Sequence, residues 1–162
     1  MDVRKGLGEV RSRLVARDFK AGEKGRDDLF SATPPLEGKR LLVSRAVTRR
    51  KDRKKRKLRF IDVKKAHLNG KVPDNTFVYV QLPDGRCWRL RRWLYGMRPA
   101  ASAWEADYTN KLESIGFQRG KSAPTVFYRA GRGCRCVTHG DDFTSLVFDD
   151  QIKNIIDDMK KW

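Results

Sequence analysis

The sequence predicts an α/β (α+β) fold in which helices flank an antiparallel sheet. Two observations predict it. Short runs rich in β-branched and aromatic residues come in pairs around turn signals, as hairpin strands do. Between those pairs lie stretches whose apolar residues recur at helical spacing.

Each element follows from its local pattern. Residues 1–28 are polar and charged, apart from Leu14-Val15-Ala16. Within them RSRLVARDF alternates, which predicts a strand with Arg11, Arg13 and Arg17 on one face. Residues 22–28 are turn-like, and residues 30–36, with Pro34-Pro35, form a connector. Residues 37–48 predict a helix whose apolar stripe is Leu41, Leu42, Val43, Ala46 and Val47. The block RRKDRKKRK at residues 49–57 reads as a solvated loop. Residues 58–63 form a strand ending near Asp62, and residues 64–69 a short helix stopped at Asn69-Gly70. Residues 77–82 and 87–94 pair as a hairpin across Pro83-Asp84-Gly85. Residues 100–115 are a helix with Trp104, Tyr108, Leu112 and Ile115 inward and Gly116 as its stop. Residues 125–129 and 134–139 form a hairpin, and residues 143–148 return from Gly140-Asp141-Asp142. Residues 149–162 are an amphipathic helix carrying Ile152, Ile155, Ile156 and Met159, with Asp149 or Asp150 as cap.

The chain has 162 residues, enough for one domain or a little more, and enough for a real core. Its net charge of +17 makes a polyanion the expected partner, with nucleic acid first and a membrane surface second. From Lys39 to Lys57 there are eleven Lys or Arg and one Asp. Besides a solvated loop, this block suits phosphate contact or a nuclear-import signal. No apolar run is long enough to span a membrane. The first residues lack the apolar core of a secretory signal. The odd set Cys87, Cys134 and Cys136 argues against a disulfide framework and for a reducing compartment. An intracellular location is expected, in nucleus, cytoplasm or an organelle.

Two stretches carry chemistry. Asp141 and Asp142 stand together at a hairpin tip, where adjacent carboxylates repel unless a cation lies by them. Asp62 stands at a strand end seventy-nine residues earlier. Each has a plain alternative: an ordinary turn for the pair, a salt bridge among many cations for Asp62. Hard cations such as Mg²⁺ take carboxylate oxygens, and a strand-end acid converging on a hairpin pair suits two-metal phosphoryl chemistry. Zinc is a poor fit, because Cys134 and Cys136, two apart on one strand, face one side and no second close pair exists.

Six segments, in order, resemble the reverse transcriptase domain of copia-type retrotransposons. They are RSRLVARDFK (11–20), DLFSATPPLEGKRLL (28–42), FIDVKKAHLNGKV (60–72), CWRLRRWLYGMRPAASAW (87–104), LESIGFQRGKSAPTVFYR (112–129) and THGDDFTSL (138–146). The third, fourth and sixth resemble polymerase motifs A, B and C. The resemblance covers residues 9–150 and implies a palm-like antiparallel sheet flanked by helices, with partial fingers and no thumb. It implies partial fingers over residues 1–57, with the basic segment at 49–57, a palm core over 58–148 and a C-terminal helix over 149–162.

The resemblance also implies roles. Asp62, Asp141 and Asp142 would be the catalytic acids. Asp62, Asp141 and the Val63 carbonyl would hold Mg²⁺. Arg13, Arg17, His67, Tyr95 and Gly96 would meet the incoming nucleotide. Arg49, Arg50, Lys51, Arg53, Lys54, Lys55, Arg56 and Lys57 would contact nucleic acid, either RNA or an RNA–DNA hybrid. His67 stands where the family has an aromatic that excludes a ribose 2′-hydroxyl. His139-Gly140 replace an aromatic-Val pair, and Arg98-Pro99-Ala100-Ala101 replace Lys-Gln-Ser-Pro. His67, the extra basic block and the expected lack of a thumb support an alternative: a non-catalytic, retroelement-derived basic protein that binds RNA among protein subunits of a larger assembly and needs no cofactor.

Overall fold

In this computed structural model the structure describes residues 2–5, 9–12, 14–18, 32–48 and 55–160. In chain order the elements are β1 (Asp2–Lys5), β2 (Glu9–Ser12), α1 (Leu36–Val47), β3 (Arg56–Asp62), a 3₁₀ turn (Ala66–Asn69), β4 (Tyr79–Gln81) and β5 (Cys87–Arg89). Then come α2 (Pro99–Ser114), β6 (Gln118–Arg119), β7 (Val126–Arg129), β8 (Cys134–His139), β9 (Asp142–Phe148) and α3 (Ile152–Lys160). The mixture of helices and antiparallel strands is the one the sequence predicts. Among the described residues no helix is long and apolar enough to cross a membrane.

The chain divides into two compact units, residues 1–31 with 65–106, and residues 32–64 with 107–162. The second unit holds the main sheet, five strands in the order β3-β9-β8-β7-β6 with every pair antiparallel. Alternation sends successive side chains to opposite faces. On one face Leu42 of α1 packs with Val137 and Leu146, joined by Ala46, Leu58 and Val126. On the other, Tyr108 meets Phe127 and Phe143 edge-on, with ring centroids 6.1 Å and 5.5 Å apart. Thr138 Oγ1 lies 3.2 Å from the Tyr108 hydroxyl and 3.3 Å from the Thr125 carbonyl, which gives that buried hydroxyl its partners.

In the first unit β1 and β2 pair antiparallel, and β4 and β5 form a two-stranded ribbon. Its core is Val72, Trp93 and Ala100, with Val78, Leu90, Met97 and Ala103 packed around them. Gly70 is buried against the Ala103 side chain and the Trp104 amide, where a Cβ would sit 3.0 Å and 3.2 Å from them.

Four expectations need correction. The strand over RSRLVARDF is shorter: the ladder ends at Ser12, and residues 14–18 run outside any sheet. The stripe on α1 is narrower, because Leu41, Val43 and Val47 are exposed while Leu42 is buried and Ala46 half-buried. A sheet covers one row of a helix, here residues 38, 42 and 46, and flanking apolar positions stay wet. Arg56 and Lys57 belong to β3 rather than to a loop, paired with Phe148 and Val147. Arg56 stacks over the Phe148 ring at 5.2 Å, and Lys57 meets Asp149 at 2.7 Å. Finally, Asp149 and Asp150 do not cap α3; they lie in a 3₁₀ turn (Asp149–Gln151) that precedes it and whose N-cap is Phe148.

Candidate functional site

The acidic group is built by the register of the main sheet. Asp62, the last residue of β3, pairs with Asp142, the first of β9, and Asp142 pairs with His139, the last of β8. One row across three strand ends therefore reads Asp62, Asp142, His139. Gly140 and Asp141 form the two-residue loop between β8 and β9. Gly140 has φ +61°, the left-handed conformation that two-residue hairpins with glycine first require. The Val63 amide donates to the Asp141 carbonyl at 3.0 Å, which ties the end of β3 to that loop.

The result is a cluster. One carboxylate oxygen from each of Asp62, Asp141 and Asp142 lies within 4.8 Å of the others, and all three residues are exposed. Three hard oxygen donors this close suit a divalent cation such as Mg²⁺, which keeps several waters and takes few protein carboxylates. Lys39 of α1 reaches the same sheet end, its Nζ 3.2 Å from His139 Nδ1. Sequence reasoning missed Lys39, because a lysine on a basic helix carries no local mark of its partner a hundred residues away. Phe60, 74% exposed, shares the Asp62 face of β3, two residues earlier.

The other predicted residues fall in separate places. In the first unit the His67 and Tyr95 rings lie 5.1 Å apart, tilted by 57°. The Ala16 amide donates to the Tyr95 carbonyl at 2.7 Å, which brings the segment bearing Arg17 to the Tyr95-Gly96 turn. Asp18 fastens the same segment by accepting from the Arg98 amide at 3.0 Å and from its Nε at 3.2 Å. Gly96 has φ +84°, and a Cβ there would collide with the Ala16 carbonyl and the Val15 side chain. Arg17 is exposed and lines a cleft of ≈ 750 Å³ with Leu14, Tyr79 and Leu82. Lys55 is exposed before β3. Arg13, Arg49, Arg50, Lys51, Arg53 and Lys54 lie outside the described residues. Cys134 and Cys136 are buried in the sheet, and burial raises both thiols, Cys134 to about 11 and Cys136 to about 12.

A family model described as reverse transcriptase (RNA-dependent DNA polymerase) matches residues 3–162. Over 131 residues the chain is 29% identical to the retrovirus-related Pol polyprotein from transposon RE1 of Arabidopsis thaliana. That alignment covers 75% of this chain and 8% of the relative, so the chain spans a small part of that protein's length. No solved structure matches.

Proposed function

The chain belongs to the reverse transcriptase (RNA-dependent DNA polymerase) family of copia-type retrotransposons, and from that premise we propose that it carries out template-directed nucleotidyl transfer at Asp62, Asp141 and Asp142. One observation supports this most: three carboxylates from two distant segments converge within 4.8 Å at one sheet end. The five-stranded sheet is read as the palm that presents them.

Asp62 and Asp141, with the Val63 carbonyl, would hold Mg²⁺, and Asp142 would complete the acidic group. When bound, a pair of such ions activates an attacking 3′-hydroxyl and stabilises the leaving pyrophosphate. The chain's own residues supply the frame. The Val63–Asp141 hydrogen bond fixes the backbone from which two of the acids project. The Lys39–His139 contact places a cation donor at the row's far end, suited to phosphate oxygens. In the first unit Arg17 lines its own cleft with Leu14, Tyr79 and Leu82, and the glycine at position 96 lets backbone approach backbone. The net charge of +17 would hold a template strand, RNA or an RNA–DNA hybrid, by phosphate contacts.

The test is primer extension with Mg²⁺, comparing the wild-type chain with Asp141→Asn. Incorporation by the wild type and an about 10²–10³-fold loss in the variant are expected, the scale of losing several kcal/mol of charge stabilisation. Equal signals from both chains would defeat the catalytic reading. It would leave the basic surface as an RNA-binding scaffold among protein subunits.

A further inference from the structure

The β4–β5 ribbon uses one backbone edge of β4 and leaves the other open. On the inner side the Leu90 amide donates to the Val78 carbonyl at 2.8 Å, and the Leu82 amide to the Arg86 carbonyl at 2.7 Å. Antiparallel pairs alternate between residues that exchange hydrogen bonds and residues that do not. Val78, Val80 and Leu82 therefore turn their backbone groups toward β5, and Tyr79 and Gln81 turn theirs outward. Among the described residues no strand pairs with β4 on that outer side. Sheets commonly guard such an edge with charged residues or proline. Here the nine residues from Asn75 to Pro83 carry no charge, although 35% of the chain is charged, and the proline comes only after the strand.

A cleft of ≈ 750 Å³ follows this edge. Its wall includes every residue from Tyr79 to Pro83 and no residue of β5. Successive strand residues face opposite sides, so a cleft that touches all of them runs along the backbone and not over one face of the ribbon. That wall spans about 17 Å at strand rise. Residues 14–18 also line the cleft, held in place by the Ala16 amide on the Tyr95 carbonyl at 2.7 Å. Leu94 and Met97, both half-buried, add apolar lining. An extended peptide fits such a place: as an added strand it meets the outward N–H and C=O groups and sends alternate side chains against the apolar surface.

Charge selects which peptide. Asp18 is the one acid among the lining residues, and it already accepts from the Arg98 amide at 3.0 Å and from its Nε at 3.2 Å. Arg17, exposed on the same wall, is left to face a ligand. Arg89, the cross-strand partner of Tyr79, is a second exposed cation on the ribbon. A second copy of this chain would bring another +17 and be repelled, whereas an acidic segment would be drawn in. We propose that the outer edge of β4 is a docking site for an extended, acidic segment of a partner protein, which adds to the ribbon as a third strand. The site lies within the first unit, and the proposal rests neither on the acidic cluster nor on nucleotidyl transfer.

Anisotropy titrations of the full chain with a labelled, end-capped peptide of alternating Val and Glu test it. The wild type should bind with a Kd below about 1 mM. The same peptide with Lys in place of Glu should bind at least about tenfold more weakly, since like charges then meet. N-methylation of alternate peptide amides, made in both phases, should abolish binding in at least one phase, because an added strand needs those donors. Gln81→Pro removes an outward amide and no bond to β5, so it should weaken binding about two- to tenfold with an unchanged melting curve. Leu14→Glu, at an exposed lining position, should weaken it as well, and it keeps the test decisive if the proline variant does not fold. A wild type that does not bind at millimolar peptide, equal affinity for the Glu and Lys peptides, or two N-methylated forms that bind like the parent would overturn the proposal. So would displacement of the peptide by oligo(U), which would give the cleft to nucleic acid. A dimer in sedimentation that Gln81→Pro dissolves would give it to a second copy, with the same consequence.

Discussion

The Val63 amide donates to the Asp141 carbonyl at 3.0 Å, so the end of β3 and the β8–β9 turn are one hydrogen-bonded unit. The acids at 62, 141 and 142 therefore have a fixed backbone spacing before any cation binds. Three carboxylates within 4.8 Å repel one another, and this is a standing cost of the site. Asp62→Asn should raise the melting temperature in chelator by about 2–4 °C, as removal of a functional like-charge cluster does. Millimolar Mg²⁺ or Mn²⁺ should raise the wild-type melting temperature and leave the variant nearly unmoved. A wild type indifferent to both metals would dissociate the cluster from cation binding.

Gly96 offers a separate test, of the backbone crossing that brings residues 14–18 to the Tyr95 turn. Gly96→Ala meets two obstacles at once: a left-handed φ of +84° and a collision with the Ala16 carbonyl. Gly85 has the same φ of +84°, but its Cβ position is open. Urea unfolding should show a loss of about 2–4 kcal/mol for Gly96→Ala and about 1 kcal/mol for Gly85→Ala. Equal losses would mean that the close approach of residue 16 is not a feature of the folded state.

The difference between those glycines marks what the sequence could reveal. Asp62 at a strand end and Asp141-Asp142 at a hairpin tip were legible, because strand period and turn chemistry are local. The helix over α2 was legible too, since Trp104, Tyr108 and Leu112 repeat at its period and are buried. Which apolar residues are covered was not. Leu41 and Leu42 are the same residue type, yet one is half exposed and the other buried, because only the 38–42–46 row faces the sheet. Phe77 and Tyr79 alternate as core residues do, yet they are 62% and 60% exposed. Pairings across long separations, Lys39 with His139 and Asp18 with Arg98, leave no trace in local sequence. Arg56 and Lys57 read as the tail of a charged loop, and only their partners in β9 make them strand.

Under the proposed nucleotidyl transfer, His67 would bear on substrate choice. By the motif A resemblance it would stand in the place of a bulkier aromatic, and its ring centroid lies 5.1 Å from that of Tyr95. An imidazole fills less space than a phenyl ring and is polar. In the primer-extension assay, His67→Phe should increase the preference for deoxynucleotides over ribonucleotides by about tenfold, the scale of a steric or apolar contact of about 1–2 kcal/mol. Competing both nucleotide types in one reaction reads the ratio directly. An unchanged ratio in an active chain would remove His67 from the sugar site.

The three cysteines separate by environment. Cys87 is exposed on β5, whereas Cys134 and Cys136 are buried in β8. Burial is the first cause of the raised thiols, to about 11 for Cys134 and about 12 for Cys136, from 9.0. The thiolate is the reactive form, so at pH 8 a disulfide reagent should titrate one thiol in the native chain and all three after unfolding. The same shifts set a stability window. Below pH 9 both folded and unfolded chains hold these protons, and stability does not depend on them. Between pH 9 and about 12 the unfolded chain releases protons that the folded chain keeps, so stability falls as pH rises. Denaturation midpoints across that range should decline, and Cys136→Ser, whose hydroxyl does not titrate there, should decline less. Rapid labelling of Cys136 in the native state would instead place β8 outside the core.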